Sequence, residues 1–551
     1  MTSNKYVALN FPSTDQEGGG VSYTASKPRR RLWRLPPDGN ELWMLNKVDV
    51  DGKPDKHQQS EIRNEVPVEI GLDIPASVQL KPLSRKKVPP KGGIHFPGPT
   101  NERQEAVVQA LKHAWTGYRR YAWGHDHLRP ISAKPQDWFS LGLTLVDALD
   151  TLLITGLQEE FEKARAWVDK NLIFDIDKDV NLFEVTIRVL GGLLSTYHLS
   201  GDILFLNKAI DLGGRLLPCF ASPSGVPFSD VNLSTRRAHS PKWSPDSTTS
   251  EITTIQLEFR ELSRLSGDPT FEDTVAKVSE HVHQLPKTEG LVPIYINTNT
   301  GQFRSYATIT LGARGDSYYE YLLKQWIQTG RTIDYLRNDY IEGIAGAMKL
   351  LARRTPKSNL QYVGELLAGG KDFKPKMDHL TCYLPGTLML GVHNGMPKEH
   401  LKFAEDLLYT CYQTYAQQPT FLAPEITYFQ LLEGEGSDTY VKSNDAHNLL
   451  RPEFIESLWY MYYFTGNKTY QDWGWKIFQA FEKYTKVING YTSIGNVRNP
   501  ANTRPRDMME SFFLGETLKY LYLLFSDDQT LLSLDEWVFN SEAHPLPIHE
   551  A

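Results

Sequence analysis

Only three cysteines occur in the 551 residues, Cys219, Cys382 and Cys411, and none stands in CxxC spacing. A zinc site built on paired thiolates has no support here. Two readings of the three remain open: buried inert thiols, or one disulfide with a thiol left over, which requires an oxidising compartment. No run of 18 apolar residues is present, so no transmembrane helix is expected. The first twenty residues lack the apolar stretch of a signal peptide. Glycine-rich phosphate loops and GxSxG nucleophile elbows are also missing. Lys and Arg number 59 against 66 Asp and Glu, a net charge of -7, which argues against a nucleic-acid partner. Aromatics, by contrast, are plentiful: 12 Trp, 27 Tyr and 24 Phe suffice for a large core and for lining a cleft.

Residues 1–95 are rich in Pro, Gly, Lys and Asp, carry the basic run Arg29-Arg30-Arg31 and show little helical periodicity. They are expected to form an irregular tail or stem. From Asn101 the pattern turns helical. Val107, Leu111, Ala114 and Tyr118 share one face, and the same spacing predicts helices over 141–157, 183–198, 252–265, 317–327, 401–416, 454–464, 472–484 and 511–525. Pro and Gly clusters near 222–227, 285–301 and 495–505 separate them, and 291–304 reads as a hairpin. With little of the alternation a large sheet needs, residues 96–551 read as one all-α domain. Two sequons, at Asn232 and Asn467, are of a kind that arises by chance and reveal no targeting.

Several segments set carboxylates among apolar or aromatic residues. In TLGARGDSYYEYLLKQW (Thr310–Trp326), Arg314 and Asp316 flank a glycine beside a tyrosine cluster, with Asp316 placed to cap the helix that follows. A charged pair among rings suits a polyhydroxylated ligand, although a capped helix with a surface ion pair accounts for it equally. In NLFEVTIRVLGGLLSTYHLS, Glu184 and Arg188 share a helix face that is otherwise apolar. Burial there would raise a carboxyl towards the range of a general acid, and a structural ion pair is the plainer alternative. In DAHNLLRPEFIESLW, Glu453 and Glu456 lie on one face after Pro452; they repel unless a sugar, water or cation intervenes, or the helix dipole offsets them. Glu425 follows a proline in LAPEITY, Glu510 and Glu516 accompany Phe512 and Phe513 in MMESFFLGETLKY, and Ser541, Glu542 and His544 crowd a turn in VFNSEAHPLP. Paired carboxyls perform glycoside hydrolysis, and further oxygen donors suit sugar hydroxyls or a hard cation such as calcium.

These segments, with VDALDTLLITGL and KMDHLTCYLPGTL, resemble glycoside hydrolase family 47, the class I α-1,2-mannosidases, in order from about residue 101 to 547. Several look closest to its endoplasmic reticulum type. The resemblance implies an (αα)7 barrel and inverting, calcium-dependent removal of terminal α-1,2-linked mannose from high-mannose N-glycans. It makes Glu184 the proton donor, acting through a water, with Arg188 its charged neighbour. Asp316 and Glu453 become catalytic carboxylates, Glu453 the base, and Glu425 a fourth carboxylate with a catalytic or binding role. Glu251, Glu456, Glu510, Glu516 and Glu542 line the deep pocket, with His379 and Phe512 in pocket segments. Arginine at position 314 accompanies removal of a single mannose. Cys382 and Cys411 form the disulfide, implying a secretory-pathway lumen such as the endoplasmic reticulum.

Two departures stand out. The family's C-terminal calcium ligand is a threonine, and here it is Ser541, which keeps both oxygens but loses the methyl that restricts χ1. Relatives also carry an N-terminal anchor or cleavable signal, and the first 95 residues resemble a stem without one. Two other functions fit the same residues: a lectin-like quality-control factor on this fold, and a Golgi or secreted type that trims several mannoses.

Overall fold

A computed structural model describes residues 93–550 apart from 243 and 435. The tail expected over 1–95 lies outside these residues, except for its last three. Inner and outer helices differ in how many faces they bury: all thirteen residues of Asp316–Gln328 are buried, its charged ones included, as are all ten of the mostly apolar Leu384–His393. Where the apolar residues form one stripe, a helix sits outside. Gln158–Asn171 buries only Phe161, Ala164 and Val168, one face at helical spacing.

Among the described residues the inner helices number seven. They are Leu149–Ile154, Gly191–Ser200, Gln256–Ser266, Asp316–Gln328, Leu384–His393, Glu453–Thr465 and Leu518–Leu524. Each packs on the next, and the π-helical turn Phe513–Thr517 heading the last packs on the first, closing the ring. Outside them, Gln158–Asn171, Ile203–Leu216, Thr270–Gln284, Asp334–Gly346, Glu399–Ala416 and Lys468–Tyr484 cover the first six in turn, and Glu102–Tyr121 covers the seventh. This is the (αα)7 barrel. Because outer and inner helices alternate along the chain, the inner helices run the same way and start at one end.

At that end short two- and three-stranded sheets feed the inner helices. Asp179–Asn181 leads into Leu182–Val185, Asp246–Thr248 into Thr249–Thr253, and Lys376–Asp378 into the turn His379–Tyr383. A C-terminal hairpin, Trp537–Phe539 paired with Pro545–Pro547, packs against the inner helices Asp316–Gln328, Gly191–Ser200 and Gln256–Ser266. Its tip, Asn540–His544, is buried within the ring.

The predicted helices 317–327, 401–416, 454–464 and 472–484 appear as Asp316–Gln328, Glu399–Ala416, Glu453–Thr465 and Lys468–Tyr484. The segment 141–157 divides into Leu143–Asp147 and Leu149–Ile154, and 252–265 is interrupted at 254–255, between Thr249–Thr253 and Gln256–Ser266. The hairpin expected over 291–304 forms as a short turn, with the Ile296–Phe303 bridge and backbone bonds from Arg304 to Tyr295 and from Asn297 to Gln302, and its strand Tyr295–Asn297 pairs on the other side with Asp246–Thr248. Asp316 does not cap its helix. Gly315 takes the cap position, and the Asp316 carboxylate accepts from the Ser317 amide and the Ser250 hydroxyl.

Candidate active site

A cavity at the start of the inner helices is lined by Asp316, Ser317, Glu320, Leu380, Tyr383, Glu453, Glu456, Glu516 and Ser541. Asp316 and Glu453 are the first residues of their helices, where the dipole favours a carboxylate. Glu516 sits in the π-helical turn Phe513–Thr517, an irregularity often found at functional sites. Ser541 arrives from the hairpin tip, its amide donating 3.2 Å to the Tyr321 hydroxyl.

Five carboxyls thus face one space, and a buried lysine meets two of them: the Lys324 ammonium lies 2.6 Å from Glu320 and 3.5 Å from Glu456. Burial, together with the neighbouring Glu320 and Glu453, pushes Glu456 up to about 8 against the pull of Lys324. Burial likewise raises Asp316, with Glu453 adding to it. The Asp316 Oδ2 atom is buried and has no hydrogen-bond partner among the described residues, although its Tyr383 neighbour donates to the Asp316 carbonyl at 2.8 Å.

Two buried arginines flank the cavity. Asn181 accepts from the Glu184 amide at 3.0 Å and so starts the helical run in which a π turn, Thr186–Leu190, sets Arg188. Arg188 lies 2.9 Å from Glu184, 2.9 Å from Glu542 and 3.1 Å from the Ser511 hydroxyl. Burial works against its charge, but Glu542, Glu184 and Asp147 outweigh it and raise its pKa. On the other side Arg451 grips Glu425 through Nε at 2.7 Å and through a second, parallel contact, and lies 3.8 Å from Glu453. His379 holds the other Glu453 oxygen at 2.9 Å and is itself braced by the Tyr415 hydroxyl at 2.7 Å. Phe512 joins the two halves, its ring 5.7 Å from the Arg188 guanidinium and 6.0 Å from that of Arg451.

Arg314 is half-buried beside Ala313, which packs against the cavity-lining Leu380, and has φ +72°, a left-handed backbone rarely taken by a non-glycine residue and concentrated at functional sites. Its guanidinium lies 5.3 Å from the Tyr295 ring centroid. Glu251, raised by burial and lowered by Arg314, is the opposing carboxyl, with the Ser229 hydroxyl 3.4 Å away. Glu510 is buried just before the π turn, but its carboxyl is not among the cavity-lining groups.

A model of glycosyl hydrolase family 47 matches residues 110–548. The chain belongs to glycosyl hydrolase family 47. It is 52% identical over 549 residues to the human endoplasmic reticulum mannosyl-oligosaccharide 1,2-alpha-mannosidase, covering 95% of this chain and 78% of the human protein. It is 57% identical over 455 residues to the rat protein of the same name, covering 82% and 69%. An alpha-1,2-mannosidase from Trichoderma reesei shares the barrel with a TM-score of 0.76 at 26% identity, covering 82% of this chain and all of that one.

Within this family 47 barrel the cysteine question closes. Cys382 and Cys411 form a disulfide tying the turn His379–Tyr383 to the outer helix Glu399–Ala416, and Cys219 is a free, buried thiol raised by burial. The residue reading missed Glu320, Lys324 and Arg451. Glu320 and Lys324 follow Asp316 at successive four-residue steps on one helix face, a signal open to spacing alone. Arg451 stands two residues before Glu453, but its partner Glu425 lies 26 residues away, which spacing cannot show.

Proposed function

We propose that the protein is a calcium-dependent, inverting exo-α-1,2-mannosidase that removes one terminal mannose from high-mannose N-glycans in the endoplasmic reticulum. In that setting it would act in glycoprotein processing and degradation. The observation that carries this reading is the cavity itself, where Asp316, Glu453, Glu456, Glu516 and Ser541 converge in a family 47 barrel.

Glu184 serves as the acid, its position fixed by Arg188 and its proton delivered through a water. Glu453 serves as the base: His379 holds one oxygen and Arg451 approaches the other, so the carboxylate is oriented to activate the attacking water. Glu425, with both oxygens given to Arg451, acts by orienting that arginine rather than by touching the sugar. Asp316 keeps Oδ2 available for a sugar hydroxyl or a water.

The cavity also fits a hydrated hard cation. Its polar lining groups are all oxygen donors, the type a hard cation takes, and a bound cation would offset the burial that raises Asp316 and Glu456. Among the described residues no three acidic, histidine or cysteine side chains converge as a cage. The Ser541 hydroxyl and carbonyl would therefore hold calcium directly, with the carboxylates acting through waters. When bound, the ion would supply a Lewis acid gripping two hydroxyls of the mannose and holding its ring distorted. Arg314 would restrict the reaction to one branch, its five donors clamping the glycan outside the cavity.

The disulfide and the endoplasmic reticulum relatives support a lumenal setting. The test is proton NMR of α-1,2-mannobiose hydrolysis, with and without EDTA. Initial appearance of β-mannose, abolished by the chelator, supports the reading. First release of the α-anomer would contradict inversion, and undiminished activity in EDTA would contradict the calcium requirement.

A further inference from the structure

The turn His379–Tyr383, which gives Leu380 and Tyr383 to the cavity, is preceded by a three-stranded antiparallel sheet, Lys376–Asp378, Ile426–Phe429 and Thr439–Tyr440. Its first strand runs directly into His379, and its second begins directly after Glu425. The register sets Lys376, Tyr428 and Tyr440 opposite one another in a row, hence on one face. That face is the open one: Tyr428 is half-buried and Tyr440 is 42% exposed, whereas Thr427 and Phe429, pointing the other way, are buried. The two tyrosine rings stack, with centroids 5.3 Å apart and planes 22° from parallel. Tyr428 is pinned from two further directions, by the Lys442 ammonium 3.9 Å from its ring centroid and by Asp445, which accepts from its hydroxyl at 2.8 Å.

Polar groups continue from this stack to Arg314. Lys376 bonds Asp378 at 2.9 Å, and Asp378 in turn accepts from the Ala313 amide at 3.2 Å, next to Arg314. Tyr428 stands three residues along an extended strand from Glu425, about 10 Å. Neither Glu425 nor the tyrosines line the cavity, so a single sugar held there stays clear of the stack, while the outer sugars of a branched oligosaccharide can extend to it.

We propose that the Tyr428–Tyr440 stack is an outer subsite on which a sugar of the same high-mannose glycan lies, with Tyr440 as the stacking face. The inference rests on the mannosidase reading above. Lys442 and Asp445 brace Tyr428, while Tyr440, stacked on it, stays 42% exposed. An exposed rigid ring backed by a second ring is a low-entropy platform for the apolar face of a hexose.

The test measures wild type, Tyr440→Ala and Tyr440→Phe on a nine-mannose N-glycan and on α-1,2-mannobiose, which is too short to reach the stack. The expected result for Tyr440→Ala is a fall of about three- to tenfold in kcat/KM for the glycan, through KM, with mannobiose kinetics unchanged. Tyr440→Phe, which keeps the ring, matches wild type on both substrates. An unchanged glycan KM in Tyr440→Ala overturns the proposal, and so does an equal loss on both substrates. A wild-type chain that cleaves neither substrate overturns the mannosidase reading and the subsite with it, whereas normal wild-type cleavage isolates the subsite.

Discussion

At the scale of the residue, the site depends on charges that are each held by a partner. Glu453 is gripped on one oxygen by His379 and approached on the other by Arg451. Replacing it with Gln is expected to lower kcat by about 10²–10⁴-fold with little change in KM, measured on mannobiose. Arg314 is a different kind of residue, strained in its backbone and half-buried. Arg314→Leu is expected to let trimming continue past the first mannose, read by mass spectrometry of the glycan products. Ser541→Thr restores the methyl that limits χ1 and should tighten calcium binding, measured as a lower calcium concentration for half-maximal activity. Most of these residues were legible in the sequence because each stands in a short segment mixing acids with aromatics. Their division of labour was not, since Arg188 and Arg451 meet only at the face of Phe512, through folding.

At the scale of the element, the C-terminal hairpin is the part on which the site's geometry turns. His544 at its tip lies 3.1 Å from Asp147 and 2.7 Å from Asp150, all three fully buried, and Lys519 donates to the Ala543 carbonyl at 2.7 Å. Gly191 lets the tip come this close: a Cβ there would stand 2.6 Å from the Asn540 amide nitrogen. Gly191→Ala is therefore expected to cost about 1–3 kcal/mol and to lower activity by displacing Ser541 and Glu542, checked by thermal denaturation and mannobiose assay. Beyond the hairpin, His549 and His198 both contact Glu261 on the inner helix Gln256–Ser266, His198 at 2.8 Å. Burial opposes its charge, but these contacts hold Glu261 down at about 2. A carboxyl depressed in the folded state stabilises above its unfolded pKa, here near 4.5, and that stability is lost as pH falls towards 2. Glu261→Gln should lower the Tm at neutral pH and flatten its decline below pH 4.5. Periodicity predicted the outer helices Glu399–Ala416 and Lys468–Tyr484 because it reads one buried face. It ran through the breaks at 148 and 254–255 because the residues there are themselves buried and leave no exposed gap in the pattern.

At the scale of the whole molecule, seven inner helices start at one end and bring carboxylates from distant segments into one cavity. The all-α class follows from the sequence pattern, whereas ring closure does not, because it depends on the packing of Phe513–Thr517 against Leu149–Ile154 across the full length of the domain. The disulfide Cys382–Cys411 closes a loop of 29 residues between an inner and an outer element, and its removal by Cys411→Ala should cost about 2–4 kcal/mol, seen as a lowered Tm. The central claim, that this barrel cleaves a single α-1,2-mannose with the help of calcium, meets its most direct test in a digest of a nine-mannose N-glycan by the protein, with and without EDTA. One eight-mannose isomer is expected to accumulate, and none when the chelator is present. Glycan binding without release of mannose, or trimming to five mannoses at ordinary enzyme levels, would contradict it.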